Sequence, residues 1–219
     1  MPARRTTEAP EIDEILLESP EVGDTSALVR GADVEGLAFA DVDTPALELD
    51  QSSLRSCDLA MVSAEEANLR GTLLRDTVLT RPALTVVRAW HGRWHSVRIS
   101  GGRVGALEAY DSEWRSVHFV SCKLNFVNLR GAELLDVKFT GCQIDDLDLV
   151  EATVRRTSFE ETQVRRLNVQ NAELRDVDLR GARYEQIDGI ASLRGATVSG
   201  AQLAELAPLL AHEAGIVVA

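Results

Sequence analysis

A chain of 219 residues that is 45% hydrophobic can bury a sizeable core. Only 5% of it is aromatic, so the apolar mass sits in small residues such as Ala, Val and Leu, which suits thin repeated layers. A formal net charge of -12 excludes direct nucleic-acid binding, which needs a basic surface to neutralise phosphates, and leaves protein partners open.

From the N-terminus, residues 1–26 form an acidic tail with seven acids against two bases. Residues 1–9 read as disordered. The stretch Pro10–Ser19 carries Ile12, Ile15, Leu16 and Leu17 among acids, and reads as a short amphipathic turn that caps the first layer of a repeat beginning at residue 27. Two Arg precede the acids without an apolar segment behind them, so no export signal is expected.

From residue 27 a period of five takes over and holds to about residue 203. Stepping by five through Leu129 gives Leu134, Phe139, Ile144, Leu149, Val154 and Phe159 forward, and Leu124, Phe119, Trp114, Ala109 and Val104 backward to Val29. Two residues before each centre runs a row of small side chains, among them Ala67, Thr72, Val117, Cys122, Val137, Cys142 and Ala152. Neither row holds one Asp, Glu, Lys or Arg, although 26% of the chain is charged. A period of five fits neither a helix at 3.6 nor a strand at 2, so each unit is a short extended piece and a corner, two side chains inward and three outward.

Stretches such as Ala67-Asn68-Leu69-Arg70-Gly71 and Val177-Asp178-Leu179-Arg180-Gly181 carry a resemblance to the pentapeptide-repeat family. The resemblance implies an all-β solenoid, a right-handed quadrilateral β-helix of about 20 residues per coil. Phe39, Phe119, Phe139 and Phe159 are all centres separated by multiples of 20, so they are expected to stack in one column, with Trp94 and Trp114 in the next. Gly at the last position of a unit, as at Gly71, Gly101 and Gly131, suits the corner.

The register breaks near 185–191 and resumes one residue early. Over 199–219 a C-terminal α-helix cap is expected: Ser199 with Gln202 resembles a capping box, and Leu203, Leu206 and Leu210 recur near helical spacing before Gly215. Pro208 should kink or divide that helix, and the apolar Ile216-Val217-Val218 should pack back or meet a second subunit.

No constellation supports catalysis, a cofactor or a metal. His91 and His95 are four apart, a metal-ligand spacing on a helix, but the repeat places them on different units. Cys57, Cys122 and Cys142 all occupy the small inward row and read as buried, reduced thiols, in keeping with a cytoplasmic setting. The acids Asp145, Asp146, Asp148 and Glu151 form a candidate acidic patch, with Glu160 and Glu161 beside it, but Arg165, Arg166 and Arg180 are their neighbours one coil on, and ion-pair ladders explain them more simply. No apolar run reaches the roughly 18 residues of a membrane span.

What remains is binding. The resemblance implies one partner, DNA gyrase, since some acidic rods of the family mimic DNA on that enzyme, confer quinolone resistance, and dimerise through the last helix; here Leu203, Leu206, Leu210 and Ile216 are the corresponding candidates for a homodimer. Residues 27–186 nevertheless hold 25 acids against 20 bases, so the coils themselves are only mildly acidic. A generic interaction scaffold is the alternative, with Trp90, His91, Tyr110 and Asp111 as the contact patch. Trp90 and Tyr110 would otherwise shield a coil widened by Trp94 and Trp114.

Overall fold

The computed structural model describes residues 7–217. Its coils stack through parallel pairing in two sheets, one of 12 strands and one of eight. Each residue pairs with its counterpart one coil on: Trp94 with Trp114, Phe119 with Phe139 and Phe139 with Phe159. The four faces are here called walls 1 to 4, with Trp114, Phe119, Leu124 and Leu129 at their respective centres. Walls 1 and 2 share long strands such as Glu113–Val120, and walls 3 and 4 share strands such as Lys123–Asn128.

The two uncharged rows form the interior. Phe119, Phe139 and Phe159 stack with ring centroids 5.1 Å apart, and Trp94 lies on Trp114 at 4.7 Å. The small row fills the remaining space and satisfies its own polar atoms. Thr72 Oγ1 donates to Leu49 O at 2.6 Å, Ser112 Oγ to Ala109 O at 2.6 Å, and Cys122 Sγ to Ile99 O at 3.4 Å. All three thiols are free and buried. Burial pushes the Cys57 thiol up; Cys142 is pushed up by its hydrogen bond to Cys122 and then by burial.

Three of the four corners turn through a left-handed residue, as at His91, Ser96 and Gly101 with φ of 56°, 54° and 64°. The corner from wall 3 to wall 4 has none, and there the strand continues through it, as in Arg103–Glu108. Glycine is therefore only one solution to the corner; Asp and Ser are the commonest of the other residues there, as at Ser96, Asp111, Ser116 and Asp136, and short polar side chains tolerate this backbone. Gly181 is not left-handed.

Departures from the sequence reading concentrate at the ends. At the start Leu28, not Val29, is buried, because the 3-10 turn Thr25–Ala27 offsets the first unit. The lid on the first coil is formed there and not by 10–19: Gly23 crosses the ring of Phe39 so closely that a Cβ would lie 2.5 Å from Cε1. Residues 10–19 form no helical turn and run extended along the outside of the rod. Residues 7–9 are also placed, with the Thr7 hydroxyl bonded to that of Thr197; the expected disorder of 1–6 falls outside the described residues.

At the other end the register holds longer than expected. Tyr184, Ile187 and Asp188 still pair with Val164, Leu167 and Asn168, and the missing residue is absorbed after Gly189, whose φ is 83°, by the 3-10 turn Ile190–Ser192. Beyond it Val177 pairs with Ala196, one residue short of a full coil. The helix Gly200–Glu213 carries the capping box and runs through Pro208 without dividing, because the site is exposed and the proline withholds only one N–H. Gln202 Nε2 donates to Leu179 O at 2.7 Å and Ala182 O at 2.9 Å, closing the carbonyls that the last coil leaves open, while Leu206 covers the core at 2% exposure. No described helix is long and apolar enough to cross a membrane.

Candidate interaction surface

Trp90 and Tyr110 follow buried Ala89 and Ala109 on wall 4, so the register sets them directly above one another one coil apart. Their rings stack with centroids 5.4 Å apart and planes 8° from parallel. Each half-buries the other. His91 meets the Tyr110 ring edge-on at 6.1 Å and 79°. His91 and Asp111 themselves stand exposed on the adjoining corner, at φ of 56° and 51°. The four predicted residues thus converge: a flat aromatic surface beside a corner that carries an imidazole and a carboxylate.

Trp94 and Trp114 are 5% and 1% exposed within their own layers, and their indole nitrogens are buried without a protein partner. Stacked aromatic faces of this kind favour a partner that brings a flat or cationic group.

The acidic group does not form a free patch. Arg165 lies 3.8 Å from Asp145, Arg166 3.5 Å from Asp146, and Arg130 2.7 Å from the buried Asp148, so of the four predicted carboxylates only Glu151 has no ion pair among the described residues. The ladder differs in one rung from the sequence reading, because Arg180 turns back to Asp178 within its own coil at 2.6 Å, while Glu160 takes Lys138 at 2.8 Å. Such exposed pairs neutralise the surface more than they stabilise it.

The candidate dimer residues separate likewise. Leu206 is consumed by the cap, whereas Leu203 and Ile216 are 51% and 60% exposed and Leu210 lies at the edge. Ile216 and Val217 do not pack back, and Val218 lies outside the described residues. A depression of 760 Å³ forms a shallow trough down wall 3 over Ala64, Leu84 and Gly105, with Arg103 and Lys123 on its rim. Among the described residues no three metal-ligating side chains converge.

Sequence reasoning missed the corner between walls 1 and 2, where Ser96, Ser116 and Asp136 are buried although the repeat places them outward. The one available signal was the run of small or acidic residues at 20-residue spacing in that column, Gly36, Ser56, Asp76, Ser96, Ser116 and Asp136.

Residues 112–188 match the family model described as a pentapeptide repeat region. Among solved structures the chain is similar to a full-length QnrB1, a plasmid-mediated fluoroquinolone resistance protein, at 15% identity over 87% of this chain and 94% of that one, with a TM-score of 0.40. A trypsin-treated QnrB1 gives 15% identity, 88% and 93% coverage and a TM-score of 0.42. HetL, a pentapeptide repeat protein involved in heterocyst differentiation regulation from the cyanobacterium Nostoc sp. strain PCC 7120, gives 15% identity, 76% and 89% coverage and 0.38. No curated protein sequence matches the chain.

Proposed function

We propose that this chain, a pentapeptide-repeat protein, is a non-enzymatic binding rod that docks a protein partner on the stacked Trp90–Tyr110 surface, with His91 and Asp111 at its edge. The observation that carries this reading is the stack itself, 5.4 Å between rings in an outward column whose flanking positions are Asp50, Arg70 and Arg130. A half-exposed pair of large aromatics stacked on each other and flanked by coil-to-coil backbone bonds from Ala89 and His91 loses little conformational freedom on binding, which is the property of an interface anchor. The exposed Leu203 on the terminal helix and Ile216 just beyond its end suit a homodimer built end to end.

A second reading, an acidic rod that stands in for DNA on a gyrase-type enzyme and so counters quinolones, is favoured by one feature. Glu113 and Glu133 stand in register on wall 1 with Glu173 farther along the same column, and none has an ion pair among the described residues. The ion-paired carboxylates Asp145, Asp146 and Asp148 weigh against it.

One set of proteins separates the readings. The wild-type chain and a Trp90→Ala/Tyr110→Ala variant are used to capture partners by cross-linking and are titrated into a gyrase supercoiling reaction with and without a quinolone. The aromatic reading expects a captured partner that the double variant loses while its melting temperature is unchanged; retention of every partner would reject it. Equal inhibition or protection by both proteins would favour the acidic reading. Sedimentation equilibrium reads the dimer directly, and a monomer at all concentrations removes that part.

A further inference from the structure

Residues 8–18 contain five acids and no base, and they lie outside the coils. They are nonetheless seated. Glu11 N–H donates to Asp136 Oδ1 at 2.9 Å, Asp13 N–H donates to Ser116 Oγ at 2.7 Å, and Ser96 Oγ donates to the Asp13 carboxylate at 2.7 Å. Eight residues later Glu21 pairs with Leu37 in the first coil. The segment therefore runs along the rod axis against the coil order, crossing the corner between walls 1 and 2 at two residues per coil. Two extended residues span roughly 6.6 Å against about 4.8 Å per coil, so a slightly relaxed strand keeps step with the corner.

The corner is built for such an occupant. Ser96, Ser116 and Asp136 are 4%, 3% and 3% exposed beneath it, offering two hydroxyls and a carboxylate at one-coil intervals to main-chain N–H groups and to an acidic side chain. Two side chains border the line: His95 Nε2 is 3.8 Å from the Asp13 carboxylate, and the Arg156 guanidinium holds Asp136 through two bonds of 2.6 and 2.5 Å. Arg98 and His118 line a pocket of 280 Å³ that remains between Ile12–Ile15 and the wall, so the segment does not fill its groove. Nor is it tied down by a ladder: along 7–20 its bonds to the coils are side-chain bonds, and Leu16 is 75% exposed. A segment held by so few contacts opens well below the free energy of global unfolding.

We infer that the corner between walls 1 and 2 is a docking groove for an extended acidic peptide segment of a partner protein, occupied in cis by residues 7–20, which the partner displaces. The groove lies apart from the Trp90–Tyr110 wall and stands whether or not that wall binds anything.

A fluorescent peptide with the sequence of residues 7–20 is titrated into the wild-type full-length chain and into Asp13→Pro, which removes one N–H donor and one carboxylate from the strap and leaves the coils intact. The peptide should bind the variant at least tenfold more tightly than wild type, and a scrambled peptide of the same composition should show no such preference. Equal affinity for the two proteins, or a scrambled peptide as good as the native order, overturns the inference. If Asp13→Pro does not fold, hydrogen exchange on the wild-type chain decides: excess peptide should accelerate the Glu11 and Asp13 amides and leave coil amides unchanged, and no acceleration overturns it. A dimer of wild-type chains exchanging these segments would assign the groove to a second copy and overturn the choice of a separate partner.

Discussion

Two corners of the rod share one backbone and differ in everything else. Along the corner from wall 1 to wall 2 stand Ser96, Ser116 and Asp136, with φ of 54°, 55° and 59°; along the corner from wall 4 to wall 1 stand His91, Asp111 and Gly131, with φ of 56°, 51° and 64°. The first three are buried and the second three are exposed. Coil geometry therefore does not decide what a corner does. The decision comes from what lies across it: an acidic strand in one case, and solvent beside two stacked rings in the other. In a solenoid the repeat supplies equivalent positions, and function resides in the departures from equivalence.

The comparison breaks most visibly where the corners share a support. Phe139 is 1% exposed and stacks on Phe119 and Phe159, so Phe139→Ala leaves a hole in a layer that carries both corners. A loss of about 3–5 kcal/mol in urea unfolding is expected, against nearly zero for exposed Arg155→Ala. Hydrogen exchange should rise at Asp136 and Gly131 together; protection retained on one side only would show that the corners do not share that core.

Substitution at the corners themselves should separate them. Burial alone would raise the Asp136 carboxyl, but the Arg156 guanidinium and the Glu11 N–H outweigh it and hold the group below the usual range. Asp136→Ala removes one partner of a largely buried pair and should lose about 1–3 kcal/mol. Exposed Asp111→Ala places the same side chain on the same left-handed backbone and should change stability by no more than about 0.5 kcal/mol beyond that shared backbone effect. Equal losses would mean that only the turn matters and the strap contributes nothing.

The inner structure was legible because burial is unforgiving: two positions in five never carry a charge, and the aromatic centres fall 20 apart, so walls and stacks follow from spacing alone. The capping box Ser199–Gln202 was legible for the same reason, since the chemistry of a helix start is local. The strap was not. Its side chains face a corner that the repeat treats as solvent, its partners Ser96 and Ser116 are ordinary corner residues, and an extended acidic stretch without periodicity reads as a tail. Val29 misled because it keeps the period one unit beyond the point where the 3-10 turn has already shifted Leu28 inward. At the surface, the aromatic stack and the Asp145–Arg165 and Asp146–Arg166 rungs followed from register, whereas the turn of Arg180 to Asp178 depends on a rotamer that spacing does not specify.

The smallest effect expected is also the one that tests the covered side as an environment. His118 lies beside the strap pocket with Nε2 3.0 Å from Thr140 Oγ1, and its pKa is lowered to about 4 by burial first and then by the charges of Arg98 and Lys138, with Glu160 opposing. The folded value lies below the ordinary 6.5, so above that pH both states are neutral and the group contributes nothing to the pH dependence. As pH falls from 6.5 toward 4 the unfolded chain takes up a proton that the folded chain refuses, and stability declines. Because the ring is only half buried, the loss should be held to about 1–2 kcal/mol. Denaturant unfolding at pH 7.5 and 4.5 should show this difference for the wild type and a smaller one for His118→Gln. His91→Gln, on the bare corner, should leave the wild-type difference unchanged; if it abolishes the difference instead, the titrating group sits on the open side, and the two corners differ in occupancy without differing in electrostatic environment.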